Sequence, residues 1–146
     1  MEKQSRRDLK KFNYLNSEIG ALYHEAAVRM EVSDSVLDIL YTVCEFGEGC
    51  TQKTVSDLFG TSKQTIHSAS KKLQKEGLIF LQPGKGRDMG IFLTEQGKAL
   101  VREKVQPIVE MENEVFEQLT DEERRALLEL TEKYRDILGG KIKRLG

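Results

Sequence analysis

Residues 62–73 carry more hydrogen-bonding and cationic side chains than a helix needs for packing. The apolar residues Ile66, Ala69 and Leu73 follow each other at i, i+3 and i+7, which is a narrow stripe on one helical face. Glutamine can bridge an adenine edge, and serine and threonine can contact any base edge in the major groove. The pattern predicts a DNA recognition helix, whose candidate contacts are Ser62, Lys63, Gln64, Thr65, His67, Ser68, Lys71 and Lys72. The alternative is an ordinary solvated helix face.

A second basic element follows this helix. Two short β-type runs, residues 78–81 and 91–93, flank a loop that contains Pro-Gly and three glycines within seven residues. This composition predicts a β-hairpin with Lys85 and Arg87 near its tip. An arginine presented by a glycine-rich loop suits a minor groove, where negative potential is high. Lys53 is a further candidate phosphate contact; for all three the alternative is an ordinary exposed cation.

The distribution of charge supports a nucleic-acid partner although the formal net charge is −1. Residues 52–94 contain seven positive and three negative side chains and carry +4, whereas residues 1–51 carry −3 and residues 95–146 carry −2. Positive charge is therefore concentrated where the recognition helix and hairpin are predicted. Acidic flanks favour a sequence-specific binder over a general DNA coat.

The elements around this region are predicted to be mostly helical. A first helix is expected at about residues 6–30, and Ser33 or Asp34 caps a second, largely buried helix. Thr51 caps a third, in which Val55, Leu58 and Phe59 are expected to face the core. Helix returns after the hairpin and runs to about residue 119, with Pro107 expected to kink or split it. A capping box at residues 120–123 opens a last helix.

These parts predict a mainly α fold with a small β-hairpin, which is a winged helix-turn-helix with additional helices at both ends. Residues 1–32 are assigned to an N-terminal dimerisation helix, residues 33–94 to the DNA-binding region, and residues 95–146 to C-terminal dimerisation helices. The terminal helices have more apolar surface than a 60-residue module can cover, so a second copy is the expected partner. Candidate dimer contacts are Leu9, Phe12, Ile19, Leu127, Tyr134 and Leu138.

The sequence offers little support for other classes of protein. Its two histidines have no cysteine or carboxylate at metal-ligand spacing, and it contains no phosphate-binding loop or nucleophile elbow. We therefore expect no enzymatic activity, no metal and no cofactor. No apolar run approaches the ~20 residues of a membrane span, and no secretory signal is visible, so a cytoplasmic location is expected. Cys44 and Cys50 are too few for a disulfide framework.

Several motifs together resemble the multiple-antibiotic-resistance regulator (MarR) family. These are residues 55–66, the exit from the recognition helix at residues 73–79, and Gly86-Arg87-Asp88. Two more are Leu-Thr-Glu-Gln-Gly at residues 93–97 and Leu-Thr-Asp-Glu-Glu at residues 119–123. The resemblance covers nearly the whole chain in order and spacing. The chain departs from it in three places. Lys85-Gly86 stands before Arg87 in the wing, Ser68 occupies a position where arginine is common, and no cysteine lies in the first helix.

The resemblance implies a homodimeric regulator that binds double-stranded DNA at a pseudo-palindromic operator and is expected to be a repressor. It also implies a small-molecule effector, aromatic or phenolic, that changes DNA affinity. Candidate residues for an effector pocket are Tyr14, Tyr23, Tyr41 and Cys44. Two alternatives stay open: a winged-helix module that binds a protein, and a redox-responsive regulator that uses Cys44 or Cys50. The sequence does not identify the operator, the regulated genes or the effector.

Overall fold

The computed structural model describes residues 1–84 and 86–146, which form two compact units, Met1–Ile108 and Val109–Gly146. The first unit begins with four helices: α1 (Gln4–Arg29), α2 (Asp34–Phe46), α3 (Gln52–Phe59) and α4 (Lys63–Lys75). Strands β1 (Ile79–Pro83) and β2 (Met89–Leu93) follow, and then α5 (Glu95–Leu100). Helix α6 (Gln106–Gln118) spans the boundary of the units, and α7 (Asp121–Ile142) lies in the second. The mainly helical fold with a two-stranded hairpin is as predicted.

The capping residues expected from the sequence set the ends of the helix-turn-helix. The side chains of Ser33, Thr51 and Ser62 accept hydrogen bonds from the backbone amides of Val36, Thr54 and Thr65, at the starts of α2, α3 and α4. Each bond satisfies an amide that has no partner within its own helix. Gly77 has a left-handed φ of 75° directly after α4, which confirms the predicted helix stop.

The hairpin is antiparallel, with Ile79 opposite Leu93 and Leu81 opposite Ile91. A third segment joins it, which the sequence did not indicate. The Gly49 amide donates to the Ile91 carbonyl at 2.8 Å, and the Ile91 amide donates to the Cys50 carbonyl at 2.7 Å. Gly90 permits this approach because a Cβ there would lie 2.8 Å from the Gly49 carbonyl oxygen. The segment before α3 is thereby attached to the wing.

The core of the first unit is apolar and draws on α2, α3, α4 and the hairpin. Its fully buried side chains include Ile39, Leu40, Val55, Ile66 and Ile91. The stripe predicted on α4 is confirmed, since Ile66, Ala69 and Leu73 are all buried. The prediction for α3 is right only for Val55, because Leu58 is 46% exposed and Phe59 is 40% exposed. On α3 the second buried position is Ser56, so this short helix packs through a narrower face than its sequence suggests.

Pro107 is accommodated without ending the helix. Residues Val101–Val105, which end two positions before Pro107, form a π-helical turn between α5 and α6. A proline lacks an amide hydrogen and its ring collides with the preceding turn, and a wider turn relieves both effects. The predicted interruption therefore takes the form of a π turn.

The second unit contains the end of α6 and all of α7. Helix α7 starts at the predicted capping box, in which the Glu123 amide donates to Thr120 Oγ1 and the Thr120 amide donates to Glu123 Oε1. Arg124 donates to the Phe116 and Leu119 carbonyls and forms an ion pair with Asp121. These contacts stabilise the turn between the two helices. In the part of the chain that the structure describes, no helix is long and apolar enough to cross a membrane.

Candidate nucleic-acid interface

Helix α4 has one buried face and one exposed polar face. Ile66, Ala69 and Leu73 pack inward, and the helix contacts α2, α3 and β1. All eight predicted contact residues are exposed: Ser62, Lys63, Gln64, Thr65, His67, Ser68, Lys71 and Lys72. Because the core fixes the buried face of α4, its exposed polar side chains can contact a ligand without any movement of the helix.

A side chain from α3 supports the exposed face. Gln52 Nε2 donates to Ser70 Oγ at 3.3 Å, and Gln52 Oε1 lies 3.3 Å from Nδ1 of His67. Ser70 is completely buried. Gln52 was not among the predicted residues, and its position directly after the Thr51 cap is the one signal in the sequence that places it at a helix start. Only the packing of α3 on α4 brings it to His67.

An open cleft of about 640 Å³ lies between α3, the start of α4 and the hairpin. Its walls include Lys53 and Lys63, and Asp88 contributes the opposite charge from the hairpin loop. Gln64 and His67 supply hydrogen-bonding groups to the same cleft. The structure thus brings together residues from three of the predicted elements.

A second open cleft, of about 460 Å³, lies on the other side of α4 and is lined by Gln64, Thr65, Ser68 and Lys72. Across from them, Ser33 and Ser35 line it from the start of α2. These serines were not predicted as site residues, because the sequence marks Ser33 only as a cap. The exposed face of α4 is therefore bordered by polar grooves on both sides.

The remaining cations have different surroundings. Lys53 Nζ lies 2.7 Å from Asp57 Oδ2, and this hydrogen bond and charge raise the pKa of Lys53, so the ammonium stays protonated. Arg87 is exposed in the hairpin loop. Lys85, the other predicted contact at the tip, lies outside the described residues.

A polar network joins α1, α2 and the turn before α4. His24 Nδ1 lies 3.0 Å from both carboxylate oxygens of Asp34. One turn further along α2, Asp38 Oδ2 accepts a hydrogen bond from Thr61 Oγ1 at 3.5 Å. Burial, and secondarily the charge of Asp34, raises the pKa of Asp38 to about 6, although the Thr61 hydrogen bond lowers it. The turn of the helix-turn-helix is thus attached to a titratable carboxyl group.

The four candidate pocket residues have different environments. Tyr14 and Tyr23 are 67% and 42% exposed on α1. Tyr41 packs edge-on against Phe59 with a ring-centroid distance of 6.0 Å. Cys44 Sγ donates to Gln106 Oε1 at 3.5 Å. Burial raises the pKa of both Cys44 and Cys50, which opposes thiolate formation and gives no support to the redox alternative.

The candidate dimer contacts are solvent-exposed within the single chain. On α1, Leu9, Phe12 and Ile19 are 47%, 43% and 51% exposed, and only Ala27 of that helix is buried. None of the residues of α7 is buried, and its candidates Leu127, Tyr134 and Leu138 are 45%, 45% and 42% exposed.

Comparison with known proteins shows which family and which solved structures the chain is similar to. Residues 31–88 match the sequence model of the MarR family. The fold is similar to NMB1585, a MarR family regulator from Neisseria meningitidis, with a TM-score of 0.80 and 23% identity over 93% of this chain and 96% of that one. It is also similar to a MarR/EmrR family transcriptional regulator from Acinetobacter sp. ADP1, with a TM-score of 0.72 and 22% identity over 95% and 99% of the two chains.

A structure with bound DNA is among the similar ones. The chain in the S. aureus MepR–DNA complex has a TM-score of 0.64 and 21% identity over 87% of this chain and 93% of that one. No curated protein sequence matches this chain.

Proposed function

We propose that the chain is a MarR family winged-helix regulator that binds a specific DNA operator as a homodimer and represses transcription. The match of residues 31–88 to the MarR family model and the similarity of the fold to MarR regulators support this proposal. One observation carries the proposal. The cap residue Ser62 and seven polar and cationic residues of α4 are exposed, while the opposite face of the helix packs into the core. The similar fold in the MepR–DNA complex supports it.

The proposed contacts divide into three kinds. Gln64, Thr65, His67 and Ser68 lie in the first two turns of α4 and read base edges in the major groove. Lys53, Lys63, Lys71 and Lys72 contact phosphates and set affinity without selecting a sequence. Arg87, which is exposed in the hairpin loop, is proposed to contact the adjacent minor groove, and Lys85 is proposed as a second contact from its sequence position alone. The carboxylate of Asp88, which lines the cleft, repels a phosphate that enters the cleft.

The dimer is proposed from the exposed apolar residues of α1 and of α7. Each helix presents large apolar side chains to solvent, and soluble proteins seldom leave such extended apolar surface uncovered. A second copy of the chain supplies the same apolar residues and so covers them. Two copies hold two α4 helices for half-sites about one helical turn apart on the operator.

We also propose that an aromatic or phenolic effector lowers DNA affinity. It would do so by binding more tightly to a state whose half-site spacing does not match the operator. Tyr14, Tyr23, Tyr41 and Cys44 are the candidate contacts. Titration of the DNA complex with benzoate- and phenol-type probes tests this. Loss of binding to operator, with unchanged dimerisation, is the expected result, and a panel without effect on the complex contradicts it.

Genomic-fragment selection with the purified protein, followed by footprinting at two salt concentrations, tests the operator. A protected pseudo-palindrome is expected, with log K falling by about 0.9 per phosphate contact for each unit of log salt. Lys71→Ala should weaken binding to every duplex, whereas Gln64→Ala should lose about 1–3 kcal/mol of discrimination at one base pair. Lys141→Ala, which removes a lysine of α7, is the control for net charge.

The outcomes separate two classes of protein. If no fragment is selected although the protein is dimeric, the DNA-binding proposal fails, and a winged-helix module that docks on another protein becomes the better interpretation. If Lys71→Ala and Gln64→Ala both bind specific and random duplexes like the wild type, α4 is not the recognition helix.

A further inference from the structure

Gln52 is held in one orientation by a buried serine. Its Nε2 donates to Ser70 Oγ at 3.3 Å, and Gln74 Nε2 donates to the same oxygen at 3.5 Å. Ser70 is completely buried on the inner side of α4. Because the serine oxygen accepts from the Gln52 amide nitrogen, the amide oxygen of Gln52 points the other way. That oxygen lies 3.3 Å from Nδ1 of His67.

This contact selects one tautomer of His67. An amide oxygen only accepts hydrogen bonds, so the Nδ1 atom facing it must carry the hydrogen. A neutral imidazole has one N–H, and the other nitrogen, Nε2, is then an acceptor. His67 is exposed and lines the cleft between α3, α4 and the hairpin. The charged groups lining that cleft are Lys53, Lys63 and Asp88.

We propose that Gln52 is a positioning residue that fixes His67 as a hydrogen-bond acceptor in the DNA interface and thereby determines which bases His67 selects. This inference rests on the proposed DNA-binding function. Gln52 acts through His67 and is itself assigned no DNA contact.

The chemistry of the base edges sets the preference. In the major groove, adenine and cytosine present an exocyclic amino group that donates, whereas guanine and thymine present acceptors at the corresponding positions. An acceptor at Nε2 of His67 therefore selects adenine or cytosine. A donor at the same atom pairs with the acceptors of guanine and thymine, or with N7 of adenine, so the selectivity for adenine or cytosine is lost. One side chain on α3 thus decides a base preference expressed by α4.

The tautomer is tested first, on the full-length protein without DNA. Long-range ¹H–¹⁵N spectra of the histidine rings at about pH 8, where a free imidazole is neutral, distinguish Nδ1–H from Nε2–H. The chain has two histidines, so a His24→Gln variant assigns the signals. We expect Nδ1–H for His67 in the wild type and in Gln74→Ala, and a change toward Nε2–H in Gln52→Ala. An Nε2–H signal in the wild type overturns the proposal.

Selection from randomised operators tests the base preference. Gln52→Ala should lose about tenfold discrimination at one position of each half-site and keep the wild-type affinity for random duplex. A carboxylate only accepts hydrogen bonds, so Gln52→Glu should keep the hydrogen on Nδ1 of His67 and retain the wild-type base preference. Gln74→Ala removes the other amide on Ser70 and is the matched control, with an unchanged profile.

Failure of this inference and failure of the proposed function give different results. If the wild type selects an operator but Gln52→Ala leaves its base profile unchanged, or Gln52→Glu loses the preference as Gln52→Ala does, Gln52 does not set specificity by fixing the tautomer of His67. If Gln52→Ala weakens binding to specific and random duplexes equally, Gln52 has only a structural role and the inference is overturned. If the wild type selects no DNA at all, the proposed function fails and the base preference with it, whatever tautomer His67 has.

Discussion

Asp38 of α2 accepts a hydrogen bond from the Thr61 hydroxyl at 3.5 Å, which connects the turn before α4 to α2. The carboxyl group is half-buried, and burial and Asp34 together raise its pKa from 3.8 to about 6. The Asp38 carboxyl group, which connects α2 to the turn before α4, therefore loses its proton near pH 6.

Asp38→Asn should stabilise the protein at neutral pH. Because the folded pKa exceeds the unfolded one, the folded state holds an extra proton between about pH 4 and pH 6, and stability falls as the pH rises through that window. At about pH 7.5 the variant should gain about 1 kcal/mol, a figure reduced for solvent screening at this partly exposed site. Urea unfolding at fixed protein concentration measures it. Asp136→Asn on α7 is the control, and a gain that persists at about pH 4 contradicts the explanation.

Ser56→Ala should stabilise the protein by about 1 kcal/mol. Within the described part of the chain, Ser56 Oγ is buried and has no hydrogen-bond partner, and such a group costs about 1–3 kcal/mol of desolvation. Ser70→Ala is the matched comparison, because the buried Ser70 Oγ accepts from Gln52 and Gln74. It should destabilise. Denaturant midpoints of the two variants that shift in the same direction would contradict this account.

Gly97→Ala should destabilise by about 1–3 kcal/mol or more. A Cβ on Gly97 would overlap the Leu78 carbonyl oxygen, and the Gly97 amide donates to Thr94 Oγ1, which caps α5. The backbone of Leu78 cannot withdraw easily because its carbonyl accepts from the Thr94 amide at 3.1 Å. Gly139→Ala in α7 is the control: a Cβ there meets nothing within 4 Å. It should gain about 1 kcal/mol from helix propensity, and thermal unfolding compares the two.

Ile19→Glu should weaken dimerisation. Ile19 is 51% exposed on α1, and a carboxylate buried at an apolar interface costs several kcal/mol. Sedimentation equilibrium should detect monomer at concentrations where the wild type is dimeric. Ser17→Glu introduces the same charge two residues earlier, on nearly the opposite side of the helix, and should leave the association unchanged. Two variants with equal effects would show that α1 does not dimerise through this face.

Much of the fold follows from local signals in the chain. Local signals place the starts of four helices. At Ser33, Thr51, Ser62 and the capping box of residues 120–123, a side-chain oxygen accepts from a backbone amide of the first turn only three residues away. The face of α4 also follows from sequence, since apolar residues spaced by three and four positions must share one side. These signals lie within single helices, so they can be interpreted without knowing which helices and strands pack together.

Tertiary structure decided the remainder, because it depends on contacts between residues far apart in sequence. Residues 49–51 pair with Gly90 and Ile91, about forty positions later in the chain. Leu58 and Phe59 are exposed because α3 packs through Val55 and Ser56. Gln52 and His67 are fifteen residues apart, and no periodicity links them. Their contact is set by how α3 packs on α4, and with it the hydrogen-bonding character of His67.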